Sequence, residues 1–228
     1  MTILLAIETS TDLASVALLH NHHITCRDLS GGQTHSYGLL PALQELLQEA
    51  GISLPQIDAI AFGCGPGAFT GVRTACGVVQ GLAFGLQIPV LPVVSLLAMA
   101  EAAKLKEQSL DYVCCLDARM NEVYWAHYRV DGDGFLEIHP PSLSDLNVAL
   151  DYAREMKSTL VLGHGLALTD EDQSLPHTSV MPHAQFTLQI AERNYQLGLA
   201  IDAAQAQPLY LRNKVAQTTA ERALAREA

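Results

Sequence analysis

Two acidic residues close apolar runs, and each is followed by residues suited to a phosphate or a metal. Glu8 ends the run Ile3–Ile7 and opens Glu8-Thr9-Ser10-x-Asp12; Asp117 ends Tyr112–Leu116 and opens Asp117-Ala118-Arg119. Glycines that let backbone N–H groups approach phosphates occur in Gly63-Cys64-Gly65-Pro66-Gly67-Ala68-Phe69-Thr70-Gly71 and in Gly163-His164-Gly165. The first of these is no Walker loop, because the spacing GxxxxGK[ST] and its Lys are absent, and Thr70 stands where GxGxxG needs its last glycine. Read locally, it is a tight strand-to-helix turn with Thr70 as the helix cap; a loop facing an anion or a partner is the alternative. His20, His22 and His23 cluster at a polar turn without a carboxylate or fourth ligand near in sequence, and His35 stands alone. Neither HxxxH nor HExxH occurs, and G-x-S-x-G is missing, so zinc-peptidase and serine-hydrolase chemistry lack their residues.

The elements that must carry these residues repeat. Strands are expected at Ile3–Ile7, Ala14–Leu19 and Ile24–Leu29, the last two joined by an Asn21-His22 turn. Leu39, Leu40, Leu43, Leu46, Leu47 and Ala50 fall at helical spacing over Ser36–Ala50, with Gly51 placed to end the helix. A strand at Ile57–Phe62 enters the glycine loop, Val72–Leu86 is helical, Val90–Val94 is a strand, and Ser95 caps a helix to Glu107. The order then begins again, with strands at Tyr112–Leu116, Val123–Val130 and Phe135–Ile138, a helix at Ser144–Met156 and a strand at Leu160–Leu162. Glu8 maps on Asp117 and Ala14 on Val123, each 109 residues on. The division expected is a lobe over 1–107 and a second over 108–228, whose tail could pack back on the first.

Composition removes several function classes. With 49% hydrophobic and 16% charged residues the chain of 228 residues suits a compact core and leaves some apolar surface for another protein. A net charge of −11 with 13 scattered Lys and Arg residues argues against direct, tight tRNA or DNA binding. Five cysteines without CxxC spacing read as reduced, mostly buried thiols. Charged residues and prolines break the apolar stretch between Gly71 and Ala103, so no membrane span is expected and a cytoplasmic location follows.

One helix stands out. Gly77, Gly81 and Gly85 recur every four residues in Val72–Leu86 and so share a face. Each costs about 1 kcal/mol against Ala, some 3 kcal/mol together, which matters against a typical stability of about 5–15 kcal/mol. A helix packed unusually close would offset that cost, either from the same lobe or from a second molecule.

A duplicated βββαβα unit with an acidic tip on each first strand resembles the actin, sugar-kinase and chaperone-ATPase superfamily, an α/β, ribonuclease H-like ATPase fold of two lobes. Working members of that superfamily use an Asp-x-Gly turn in the second lobe, which Asp117-Ala118-Arg119 lacks, and Gly163-His164-Gly165 sits where they contact adenosine. Glu8, Thr9, Ser10, Asp12, Asp117, Gly163 and Gly165 are accordingly expected to be a degenerate nucleotide site. The stretches ILLAIETSTDLASVALL, THSYGLLPAL, FGCGPGAFTGVRTACGVVQGLAFG, LDARMNEVYWA and PLYLRNK together resemble the bacterial TsaB (YeaZ) family, from Ile3 to about Lys214.

That resemblance implies a non-catalytic subunit in the synthesis of N6-threonylcarbamoyladenosine beside the anticodon of tRNAs reading ANN codons. It implies pairing with the paralogue TsaD, which holds a metal and transfers the carbamoyl group, and with the small ATPase TsaE. Homodimers would form through the same helices. Metal and nucleotide are expected on partner subunits, with no cofactor in this chain, and tRNA would be met only through the complex. The helix faces place Leu39, Leu43, Leu47, Thr70, Arg73, Gly77, Gln80, Gly81 and Phe84 at that interface. A small-molecule kinase of the same superfamily is the enzymatic alternative; a peptidase has no ligand spacing to support it.

Overall fold

The computed structural model describes residues 2–29, 35–166 and 168–212. Thr34 of the second motif, Asn213 and Lys214 of the last, and the rest of the tail lie outside the described residues.

The first half runs β1 (Leu4–Glu8), β2 (Ala14–His20), β3 (His23–Leu29), α1 (His35–Ala50), β4 (Ala59–Gly65), α2 (Phe69–Leu86), β5 (Val90–Val94) and α3 (Ser95–Lys104). The second runs β6 (Asp111–Arg119), β7 (Glu122–Asp131), β8 (Gly134–Asp145), α4 (Leu146–Met156), β9 (Thr159–Leu162), β10 (His177–Ser179) and α5 (Ala184–Gln196). Each half builds a five-stranded sheet in the same order, β3-β2-β1-β4-β5 and β8-β7-β6-β9-β10. β1 lies antiparallel to β2 and parallel to β4, as β6 does to β7 and β9. The duplication is therefore structural. Between β9 and β10 the described residues form only a 3-10 turn, Asp172–Ser174, where the first half has α2.

Alternating side chains of the first sheet serve two cores. Leu5, Ile7, Val16, Leu18, Ile60 and Phe62 pack with buried faces of α1 and α2. Leu4, Ala6, Ala17, Leu19, Ala59 and Ala61 pack with Ala184, Leu188 and Ala191 of α5. Because both faces are covered, β1 and β4 read as unbroken apolar runs rather than alternating ones. The second sheet packs one face on α3, through Leu96, Met99 and Ala103, and the other on α4, through Ala149, Leu150 and Ala153. The layers run α1/α2, first sheet, α3/α5, second sheet, α4. α5 belongs to the second half in sequence and to the first sheet in space. Residues following it stay there too: Ile201 pairs with Val90 of β5.

Several local expectations change. α2 begins at Phe69 with Ala68 before it, so Thr70 lies in the first turn and is not the cap. Ser95 does not cap α3; Val94 precedes the helix, and the Ser95 hydroxyl turns to Glu8 instead. α3 stops at Lys104 rather than Glu107, and β8 extends to Asp145 because it pairs along the whole of β7. Asn21 and His22 both have positive φ, the mirror-image turn that a two-residue hairpin favours.

α5 should therefore hold the first sheet together. Leu188→Ala, at a fully buried position, is expected to cost about 2–5 kcal/mol in urea unfolding, with the loss seen as faster amide exchange in β1 and β4. Loss confined to the second sheet would contradict this layering.

Candidate functional site

The two acidic tips meet very different surroundings. Glu8 is fully buried: its carboxylate accepts the Ser10 N–H at 2.7 Å and the Ser95 hydroxyl at 3.1 Å. Burial is the larger influence and pushes the Glu8 carboxyl above its ordinary value, against those hydrogen bonds. The glycine loop explains the burial. A Cβ on Gly63 would stand 1.9 Å from the Glu8 carboxylate, one on Gly67 2.2 Å from the Ser10 carbonyl, and one on Gly71 1.8 Å from the Thr9 carbonyl. The Thr9 hydroxyl donates to the Gly71 carbonyl at 2.7 Å, and Ala68 N–H donates to the Ser10 carbonyl at 2.6 Å. These glycines let the loop lie flat against the end of β1. Cys64, in the same loop, has its thiol pushed up to about 12, first by burial and then by the Glu8 charge, so it is no nucleophile.

Asp117 lies in a cleft of about 490 Å³ between the lobes. Arg119 pairs with its carboxylate at 3.3 Å and donates its own backbone N–H at 2.8 Å. Arg119, Met120 and Asn121 all have positive φ. The turn thus holds a non-glycine residue, Arg119, in a left-handed backbone, with its largely exposed side chain beside the acid. Ser10, Asp12, Asp117 and Gly165 line the cleft; Glu8, Thr9 and Gly163 do not. Gly163 is packed against β6, where a Cβ would come 2.7 Å from Leu116. The Ser10 hydroxyl is buried close to Glu8, with no well-formed hydrogen bond among the described residues. Much of the remaining wall is apolar: Leu13, Phe69, Val72, Leu116, Met120 and Met181. Among the described residues no group of three or more His, Cys, Asp or Glu side chains is arranged to hold a metal ion.

A different surface presents α2. Its buried face carries Val72, Ala75, Cys76, Val79 and Ala83. On the outer face no described residue stands within 4 Å of a Cβ built at Gly77, Gly81 or Gly85. Phe84 beside them is 80% exposed, which no internal packing accounts for. Arg73 is the single charged side chain in α2; its guanidinium lies 3.7 Å from the Phe69 ring centroid and donates to the Tyr210 hydroxyl at 2.6 Å. Thr70 is exposed, and Gln80, half-buried, donates to the Ala206 carbonyl at 2.9 Å.

The expectation for α1 needs correcting. Leu39, Leu43 and Leu47 are 0%, 2% and 5% exposed and pack into the first core, so they cannot face a partner. The i, i+4 spacing was sound; it marks the face turned to the sheet. Among the described side chains the outward residues are Leu40, Pro41, Gln44, Glu45, Gln48 and Glu49. Tyr210 and Arg212 in the cleft wall were not picked out, although they stand in the PLYLRNK stretch.

A duplicated α/β protein of two five-stranded sheets sharing one strand order, with a glycine-lined helix on its surface, is the class this geometry defines. The family described as "TsaD: tRNA N6-adenosine threonylcarbamoyltransferase" matches residues 29–158. The chain is 38% identical to "tRNA threonylcarbamoyladenosine biosynthesis protein TsaB" of Haemophilus influenzae, over 93% of this chain and 94% of that one. With the Escherichia coli protein of the same name it shares 34%, over 93% and 96%. The solved structure "YeaZ from Pseudomonas aeruginosa" aligns with a TM-score of 0.80 at 36% identity, covering 92% of this chain and all of that one. The chain belongs to the TsaB (YeaZ) family.

Two outcomes follow from the packed loop. Gly71→Ala should destabilise by about 1–3 kcal/mol or more through overpacking against Thr9; unchanged thermal stability would mean the loop can lift away freely. Glu8 holds its proton more firmly folded than unfolded, so its contribution is full below the ordinary value of 4.5 and is lost as pH rises through the raised one. Relative to wild type, Glu8→Gln should gain urea stability as pH rises across that window, and a pH-independent difference would refute the assignment.

Proposed function

We propose that this chain is a non-catalytic subunit that pairs through α2 with a TsaD-type transferase and so supports threonylcarbamoyl transfer to tRNA. The observation that carries the reading is the open stripe Gly77, Gly81, Gly85 beside an exposed Phe84. Helix glycines cost about 1 kcal/mol each, and among the described residues none packs onto these three. A second helix could approach this groove more closely than the usual ~8–10 Å between axes. The names of the relatives supply the pathway, tRNA threonylcarbamoyladenosine biosynthesis. The match to the TsaD family gives a reason to expect a partner of the same fold. Two such chains could pair pseudo-symmetrically, each offering the same helix, and a homodimer would use the same surface.

Metal, nucleotide and the TsaE ATPase are assigned in this reading to partner subunits, and tRNA is met through the complex, which places the chain in the cytoplasm. Among the described residues no helix is long and apolar enough to cross a membrane. A kinase acting alone has weaker support, since Asp117-Ala118-Arg119 lacks the glycine of an Asp-x-Gly turn.

The glycines separate stability from pairing. Gly77→Ala, Gly81→Ala and Gly85→Ala should each stabilise the isolated chain by up to about 1 kcal/mol while weakening the pair. Gly81→Met should raise the dissociation constant from a TsaD-type partner about tenfold or more, read by calorimetry or mass in solution. An unchanged constant, or full transfer by the transferase alone, would sink the proposal.

A further inference from the structure

The PLYLRNK stretch is absorbed neither by the helix interface nor by the degenerate cleft, yet its contacts reach both. Leaving the edge of β5, the chain runs over α2, where the Ala206 carbonyl accepts from Gln80 at 2.9 Å. Leu209 N–H then donates to the Cys64 carbonyl at 2.7 Å, at the end of β4. Tyr210 meets Arg73 through its hydroxyl at 2.6 Å and leans on Phe69, ring centroids 5.8 Å apart. Two residues on, Arg212 has crossed to the other lobe. Its guanidinium donates to the Ala118 carbonyl at 3.2 Å and pairs with Glu122, at the two sides of the β6–β7 hairpin. Both partners of that ion pair are shielded, at 19% and 31% side-chain exposure, so water weakens it less than an open surface pair. Residues 209–212 at the same time form one wall of the cleft.

We propose that residues 206–212 are a strap that ties the partner-facing start of α2 to the second lobe, linking closure of the cleft to pairing on α2. Arg73 stands one turn before Gly77 on the exposed side of α2. The strap holds its guanidinium between Phe69 and Tyr210, so a partner meets it already ordered and less side-chain entropy is lost on pairing. The buckle is Arg212 on Glu122, far along the strap from α2. Releasing it frees Tyr210, and with it Arg73. Linkage requires the converse: pairing on α2 must tighten the strap on the cleft.

The inference rests on the pairing just proposed, and its test has an arm that does not. In the isolated chain, Arg212→Ala should speed amide exchange at Leu209 about tenfold or more while β1 and β4 stay protected. Exchange at Leu209 equal to wild type would overturn the strap whatever the chain pairs with. In the complex, Arg212→Ala and Tyr210→Ala should each weaken binding to a TsaD-type partner about fivefold or more, and the reversal Arg212→Glu with Glu122→Arg should recover much of it. If Gly81→Met abolishes pairing while Arg212→Ala and Tyr210→Ala leave it unchanged, the link is wrong and the helix interface stands. If wild type forms no pair, the proposed function fails and the exchange arm still decides the strap.

Discussion

The structure turns on one close approach of backbones. The loop of residues 63–71 lies against the end of β1 so tightly that Gly63, Gly67 and Gly71 have no room for a Cβ. That contact buries Glu8, orients Ser10 towards the cleft, and fixes where α2 starts. The direction of α2 in turn decides which of its faces looks inward. Steric fit alone does this: the hydrogen bonds along the seam, Thr9 to Gly71 and Ala68 to Ser10, become possible because the backbones already touch. In a phosphate-binding loop backbone amides are turned to a ligand; here the Ala68 amide is bonded to Ser10 within the chain.

Glycines in this protein therefore do opposite things within a few residues of one another. Gly63, Gly67 and Gly71 are packed to the limit, and Gly77, Gly81 and Gly85 further along α2 have no described neighbour within reach of a Cβ. Helix propensity explains neither group, since it argues against the second and is silent on the first. Contact distance separates them. The exposed stripe is a cost that no packing among the described residues offsets, and Phe84 at its edge adds an exposed apolar ring.

Much of the fold was legible because β1, β4, β6 and β9 are short apolar runs bounded by turns, and α1 has a clean helical period. The duplication showed as an acid followed by a hairpin at a constant offset, and the two sheets share their strand order. The sites were less legible. Leu39, Leu43 and Leu47 have the spacing of any amphipathic helix, and spacing does not say whether the apolar stripe meets a sheet of the same chain or a foreign surface. Thr70 and Ser95 are good cap residues by type, but the loop geometry put Ala68 and Val94 at the boundaries. β10 and α5 went unread: β10 has three residues, and in α5 polar side chains interrupt the apolar face formed by Ala184, Leu188 and Ala191. Tyr210 and Arg212 act through partners more than 90 positions away in the chain, Arg73, Ala118 and, through space, Met120, and no local pattern encodes such contacts.

The return of α5 to the first sheet has a consequence for how the molecule is made. On the ribosome, β1 to β5 and α3 emerge long before Ala184, so the sheet face formed by Leu4, Ala6, Leu19, Ala59 and Ala61 lacks the α5 part of its cover while the second half is still being synthesised. An apolar sheet face waiting for its lid is an aggregation hazard. The nascent chain must be shielded through that interval, and a message cut short in the second half yields a sticky fragment, not a half-sized working lobe.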